Sequence, residues 1–239
     1  MAIPSAIKRV KGYDAFRGAA IRALNRLRHP KRERRKLVAD YLAQNDPAKL
    51  NIGCGSSILS GWLNTEFEEL VAPGVLYLDA TRSFPFPDAS FNLIFSEHMI
   101  EHVPLAGAAN MLRECHRVLK AGGQIRIATP RLEFMLELLG HPTEAHREYA
   151  DLHYQDFTDE PEVRTPARIV NDYYRMWGHQ FVYDEVTLRL LFERAGFSNI
   201  QAQAVGESSN PHFRGIENEG RMPEGMLALT TLVLEGQKA

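Results

Sequence analysis

Cysteine is scarce in this chain: Cys54 and Cys115 are its two examples among 239 residues. Two cysteines do not build a disulfide framework, so stability has to come from an ordinary apolar core, and a reducing cytoplasm is the expected setting. Long apolar runs are also missing. No stretch approaches the roughly 20 residues needed to span a bilayer, and the opening "MAIPSAIKRVKGYDAF" has no apolar core of a secretory signal. Internal repeats and low-complexity tracts are absent, which excludes solenoids and arrays. At 44% hydrophobic and 24% charged residues, the composition is that of a globular domain with a real core.

Charge is nearly balanced overall but unevenly placed. Residues 1–36 carry twelve Lys or Arg against Asp14 and Glu33, a local balance of +10, which leaves −12 on the remainder of a chain whose net charge is −2. Ile7, Val10, Phe16, Ala20, Leu24 and Leu27 punctuate this basic stretch at roughly helical spacing. Residues 1–46 therefore read as a basic helical segment. Either its apolar face packs on the main domain with its charges solvated, or its basic face meets an anionic surface. Nucleic acid is disfavoured as a partner, because no recognition motif or aromatic platform accompanies the charge.

Residues 47–239 alternate between strand and helix signals. "KLNI", "GWLNTE", "GVLYLDA", "SFNLIFSE" and "GGQIRIATP" read as strands, ending at Ile52, Glu66, Asp79, near Ser96 and at Pro130. Several are continuous apolar runs, the pattern of parallel strands covered on both faces. Leu105, Ala108, Leu112, Cys115 and Leu119 form a helical stripe after Pro104, with Gly122-Gly123 as its stop. A second helix is expected after Asp184 as cap, with Val186, Leu190 and Leu191 inward and Gly196 as stop. "SNIQAQAV" and "LALTTLVLEG" complete seven strands. The pattern predicts an open α/β sheet with right-handed crossovers. Residues 131–182 break the repeat and read as an insertion at the carboxyl ends of the strands, where a lid over a ligand crevice would sit.

Those strand ends carry the chemistry. Gly53-Cys54-Gly55 follows the first strand, and a Gly-x-Gly turn admits a ligand close to the backbone. Glu66 ends the second and can accept two ribose hydroxyls; Asp79 ends the third and can accept from an amino group. Ser96-Glu97-His98 end the fourth.

In "LNIGCG", "LNTE", "YLDATRSFPFPDASFNLIFSEHMIEHV" and "LRECHRVLKAGGQIRIATP" the chain resembles the class I S-adenosylmethionine-dependent methyltransferases, over about residues 48–130 and again in "LLFERAGFSNI". The resemblance implies a Rossmann-like, mostly parallel seven-stranded sheet with an antiparallel last strand and helices on both faces. It implies S-adenosylmethionine as cofactor, with Gly53, Cys54 (through its backbone) and Gly55 along the methionine part, Glu66 on the ribose, Asp79 and Ala80 on the adenine, and Ser96 and Glu97 closing the reactive side. Asn51 is counted with the cofactor-binding residues, although it stands where the family usually opens the glycine motif with an acid, and Ser57 stands at the third glycine position. The short spacing from Gly53 to Leu63 leaves room for a loop or a very short helix between the first two strands.

His98-Met99-Ile100-Glu101-His102 spells H-x-x-E-H, a zinc-protease pattern with its glutamate reversed. These letters fall at the junction of the fourth strand and the next helix, and no third ligand is marked nearby, so no metal is expected. His98 is left as a hydrogen-bonding strut or as an acid/base or substrate-orienting group. His179, presented by a Trp177-Gly178 turn in the insertion, is a second candidate base. Around it, Tyr173, Tyr174 and Trp177 are either core or the wall of an acceptor pocket. Arg214, Glu217 and Arg221 fall in a long loop, read as solvated or as able to bind a charged acceptor. The expected activity is methyl transfer to oxygen or nitrogen of a small molecule or glycan. The rival readings are a cofactor-binding relative that serves as a partner-binding module, and a nicotinamide oxidoreductase, disfavoured because Ile58 stands where that motif needs glycine.

Overall fold

The computed structural model describes residues 31–67, 74–157 and 162–239. Most of the basic segment, residues 1–30, lies outside the described residues. From residue 31 the chain runs α1 (Lys31–Gln44), β1 (Lys49–Ile52), β2 (Leu63–Glu66), β3 (Leu76–Tyr77), β4 (Phe91–Glu97), a 3-10 turn (Ile100–His102), α2 (Leu105–Val118) and β5 (Leu119–Pro130). Then follow α3 (Leu132–Gly140), α4 (Glu144–Asp156), α5 (Pro166–Arg175), α6 (Glu185–Ala195), β6 (Phe197–Gln203), α7 (Met226–Thr230) and β7 (Thr231–Lys238). Among the described residues no helix is long and apolar enough to cross a membrane.

The strands form one sheet in the order β3-β2-β1-β4-β5-β7-β6. β1 to β5 pair in parallel, and β7 runs antiparallel between β5 and β6. Strand order reverses between β1 and β4, which opens a crevice at their carboxyl ends. One face packs Leu50, Ile52, Ile94, Ile125 and Leu234 against Met111, Leu112 and Cys115 of α2 and Leu188 and Phe192 of α6.

The other face of β4 shows how the chain manages without a helix between β1 and β2. Period-2 alternation turns Leu93 and Phe95 away from Ile94. The segment from residue 204 to 225 crosses this face and lays Phe213 on them, fully buried, with Leu59, Trp62 and Ile216 packed around. Arg126, opposite Phe95 in β5, fastens the segment. Its guanidinium is fully buried; it donates to Glu217 Oε1 at 2.6 Å, Glu235 Oε1 at 2.6 Å and the carbonyls of Ala204 and Glu207. Glu217 is therefore an anchor inside the fold. The solvated loop expected from its polar composition is corrected: a sequence cannot show which buried arginine will meet a loop carboxylate 91 residues away.

Other boundaries shift for local reasons. α2 stops at Val118, and Leu119 begins β5 without waiting for the glycines. On α6 the inward side chains are Leu188, Leu191 and Phe192, whereas Val186 and Leu190 face solvent. "MLALT" coils into the short α7, which buries Met226, Leu227 and Thr230, before β7 starts at Thr231. Asp184 and Gly196 do bound α6: the Asp184 carboxylate accepts from Thr187 N, and Gly196 is left-handed at φ 99°. Between β5 and α6, helices α3 to α5 enclose a second small core of Phe134, Met135, Leu138, Tyr149, Ile169 and Tyr173.

Candidate active site

The glycine loop leaves β1 at the crevice. Gly53 and Gly55 have φ of 70° and 49°, a region costly for side chains with a Cβ. The Gly53 and Cys54 amides both donate to Thr65 O at 2.9 and 3.0 Å, folding the loop against β2. A Cβ at Gly53 would lie 2.2 Å from Met99 Cγ, whereas one at Gly55 would meet nothing within 4 Å. The loop is closed at one glycine and open at the other, so its open side can receive a ligand against bare backbone.

Glu66 ends β2 beside that opening, whereas β3 stops at Tyr77, so Asp79 lies two residues past the strand end expected for it. Glu66 Oε2 accepts from Gly55 N at 2.9 Å and Oε1 from Phe67 N at 2.6 Å, which aims the carboxylate across the loop. Asp79 is buried; Oδ1 accepts from Thr81 N and Thr81 Oγ1, and Arg82 Nε stands 3.3 Å from Oδ2. Ala80, next along, is buried with it. Carboxylates so placed, beside a turn of small residues, suit the hydroxyls of a ribose and the amino edge of an adenine, and so fit an adenosyl cofactor.

Other strand-end residues act on the frame. Asn51 is buried, and its amide donates to Asn64 Oδ1 and Ser57 O. Ser96 Oγ donates to Ile52 O. Both side chains brace the glycine loop from beneath. The Cys54 thiol is pushed up to about 11 by burial and by the nearby Glu66 charge, so it stays protonated at neutral pH. Glu97 is buried too. Burial raises its pKa against the opposing influence of Arg221, 3.6 Å away, and of His98. Its carboxylate accepts from Asn218 N, while the Asn218 side chain donates to Ser57 Oγ. The 204–225 segment thus reaches the crevice and ties β4 to the glycine loop.

Beyond Glu97 the chain turns sharply at His98, whose φ is 48°. The 3-10 turn then buries Ile100 and Glu101 completely. Val103 is half-buried against the main core. Glu101 is the polar centre missed by reading the sequence for histidines alone. Thr129 Oγ1 donates to its Oε2 at 3.1 Å, while His98 Nδ1 and His102 Nε2 lie 3.4 and 3.8 Å from its Oε1. Burial opposes its charge, but the neighbouring His98 and His102 imidazoles prevail and hold the carboxyl below the usual range. The Tyr183 hydroxyl, buried and without a hydrogen-bond partner among the described residues, is raised by burial and by the Glu101 charge.

The insertion delivers His179 to this cluster. Trp177 and Gly178 take φ of 56° and 79° in the turn before it. Gln180 N and Phe181 N then donate to Glu101 O, and Gln180 Nε2 donates to His102 O. His179 Nδ1 lies 2.6 Å from Tyr173 O. A carbonyl only accepts, so Nδ1 carries the proton and Nε2 keeps its lone pair. Burial lowers the His179 pKa, partly offset by Glu101, which favours the neutral ring. Tyr173 belongs to the insertion core, whereas Tyr174 and Trp177 are exposed.

Residues 50–127 match the family model described as a methyltransferase domain. Ubiquinone biosynthesis O-methyltransferases of Pseudomonas paraeruginosa and Pseudomonas aeruginosa are 26% identical over 125 residues, covering 47% of this chain and 53% of theirs. The chain spans about half the length of the curated relatives it matches. A methyltransferase of Thermotoga maritima, described as a possible histamine N-methyltransferase, shares the fold at TM-score 0.50 and 17% identity, covering 92% of this chain and 98% of that one. A methyltransferase from Archaeoglobus fulgidus does so at TM-score 0.50 and 17% identity over 86% and 94%. Residues 50–127 thus match a methyltransferase domain, and the strand order and glycine loop around them are those of the class I S-adenosylmethionine-dependent methyltransferase fold, whose cofactor is S-adenosylmethionine.

Proposed function

We propose that the chain methylates an oxygen or nitrogen of a small-molecule or sugar acceptor. S-adenosylmethionine supplies an electrophilic methyl group on a sulfonium centre. In the proposal, Glu66 accepts from the ribose hydroxyls, Asp79 and the Ala80 backbone take the adenine edge, and Gly53-Cys54-Gly55 line the methionine portion. Glu97 and Ser96 hold the wall next to the methyl group. Asn51 steadies the loop without touching the cofactor. The acceptor enters from the side of the insertion; its lone pair forms the new bond to the methyl carbon as the carbon–sulfur bond breaks. Positioning and exclusion of water dominate such a displacement. A hydroxyl acceptor also has to lose a proton, and His98 or the neutral Nε2 of His179 can take it.

The observation that carries this reading is the Glu66 carboxylate held across the open side of the glycine loop by Gly55 N. The 26% identity to O-methyltransferases favours oxygen over nitrogen. The test is incubation of the chain with methyl-labelled S-adenosylmethionine and pools of hydroxylated and amino metabolites and sugars. Label in an extractable acceptor supports the reading; cofactor binding with no labelled product from any pool favours a partner-binding relative.

A further inference from the structure

We propose that Glu101, His102 and His179 form a binding site for a divalent transition-metal cation of the zinc type, beside the acceptor end of the crevice. One ligand atom from each lies within 4.8 Å of the others. The sequence supplied the H-x-x-E-H letters without a third ligand; the fold brings that ligand from 77 residues beyond His102. Zinc bonds of about 2.0–2.2 Å set donors roughly 3–4 Å apart, so small side-chain rotations close the site.

Three features separate this cluster from a set of hydrogen-bonded struts. First, the Glu101 carboxylate is fully buried, and its Oε1 has no hydrogen-bond partner among the described residues. His98 and His102 surround that oxygen at 3.4 and 3.8 Å, long for hydrogen bonds, whose usual N···O distance is about 2.9 Å, but close to the spacing of ligands that share an ion. Second, two of the three donors have an outer partner of the kind that orients metal ligands: Tyr173 O fixes the His179 tautomer, and Thr129 Oγ1 holds the far oxygen of Glu101. Third, the chain takes left-handed turns beside the cluster on both segments, at His98 and at Trp177-Gly178. The His102 and His179 rings meet edge to face at 4.9 Å.

Imidazole and carboxylate donors suit zinc and its neighbours better than magnesium. Three protein ligands leave a position for an acceptor oxygen, whose proton a cation makes easier to remove. His98 borders that position and is then the base, because the cation takes the Nε2 lone pair that His179 would otherwise offer. The inference deepens the proposed function by assigning the acceptor an oxygen atom, and it rests on that reading only for where the acceptor sits.

The test uses the full chain, stripped with a chelator, dialysed against zinc chloride and assayed by elemental analysis and competitive titration. S-adenosylhomocysteine binding is measured on the same samples. The expected result is one zinc per chain at roughly micromolar affinity or tighter. His102→Ala, His179→Ala and Glu101→Gln should each weaken zinc at least about tenfold, with S-adenosylhomocysteine affinity changed by less than about twofold. His146→Ala, in the insertion core, should keep its zinc. His102 is partly exposed, so its variant should fold even if Glu101→Gln does not. Substoichiometric zinc in a chain that binds S-adenosylhomocysteine, or full affinity in His102→Ala and His179→Ala, overturns the site. Stoichiometric zinc without S-adenosylhomocysteine binding upholds the site and overturns the proposed function instead.

Discussion

Replacing Glu217 by alanine should destabilise this protein far more than its place in a polar loop suggests. Glu217 and Arg126 are both buried and meet at 2.6 Å. Removing one member of a buried ion pair typically costs about 3–5 kcal/mol, because the other charge is left without compensation. Arg126 would keep Glu235 and two carbonyls, which places the loss at the lower end, about 3 kcal/mol. Gly206 N would also lose its acceptor, Glu217 Oε2. For a chain of this length, about 2–4 °C per kcal/mol gives a fall in Tm of roughly 6–12 °C. Because Asn218 N holds Glu97, the same variant should open the 204–225 segment to limited proteolysis. It should also weaken cofactor binding by a few-fold. Glu219→Ala, two residues on and exposed, is the control and should shift Tm by less than about 2 °C, as most exposed substitutions do. Calorimetric melting with proteolysis on one preparation reads all of this. A Glu217→Ala protein that melts within a degree of the parent would refute the claim that this ion cluster fastens the segment.

Glu66→Ala and Asp79→Ala should each weaken S-adenosylhomocysteine binding by about 1–3 kcal/mol, the cost of leaving ligand donors unpaired; unchanged calorimetric affinity in both would move the crevice elsewhere. Gly53→Ala should reduce cofactor binding and lower Tm together, since its φ of 70° and the Met99 side chain both reject a Cβ, and a well-folded variant with parental affinity would contradict this. His179→Ala should cut turnover at least about tenfold while cofactor affinity changes by less than about twofold, the signature of an acceptor-side group; full turnover would leave His98 as the better candidate. Asp184→Ala should cost about 1 kcal/mol of stability at pH 7 by uncapping α6. The hydrogen bond from Thr187 holds the Asp184 carboxyl below its usual value, so this contribution is complete above the unfolded-state pKa and fades as pH falls through the folded one. Parent and variant should converge in Tm in acid, and a constant gap down to pH 2 would be the contrary result.

Period and punctuation in the sequence were enough for the sheet. Apolar runs ended by Gly, Glu, Asp and Ser placed β1, β2 and β4 close to their observed limits, because parallel strands buried on both faces leave a local signal. Asp184 and Gly196 marked α6 for the same reason: caps are local chemistry. The glycine loop and the acidic strand ends were legible because the fold fixes where strands stop. Helix faces were less so, and Val186 and Leu190 turned outward where only packing decides which apolar residues are buried. What the tertiary structure alone decided depends on long separations. Glu217 became an anchor because β5 carries Arg126 beneath it. Phe213 covers a face that no helix between β1 and β2 protects. The H-x-x-E-H letters acquired Glu101 as a buried centre and His179 as a neighbour only when the insertion folded back and hydrogen-bonded to the 3-10 turn. No local pattern encodes such a meeting, since it follows from the summed packing of elements remote in the chain.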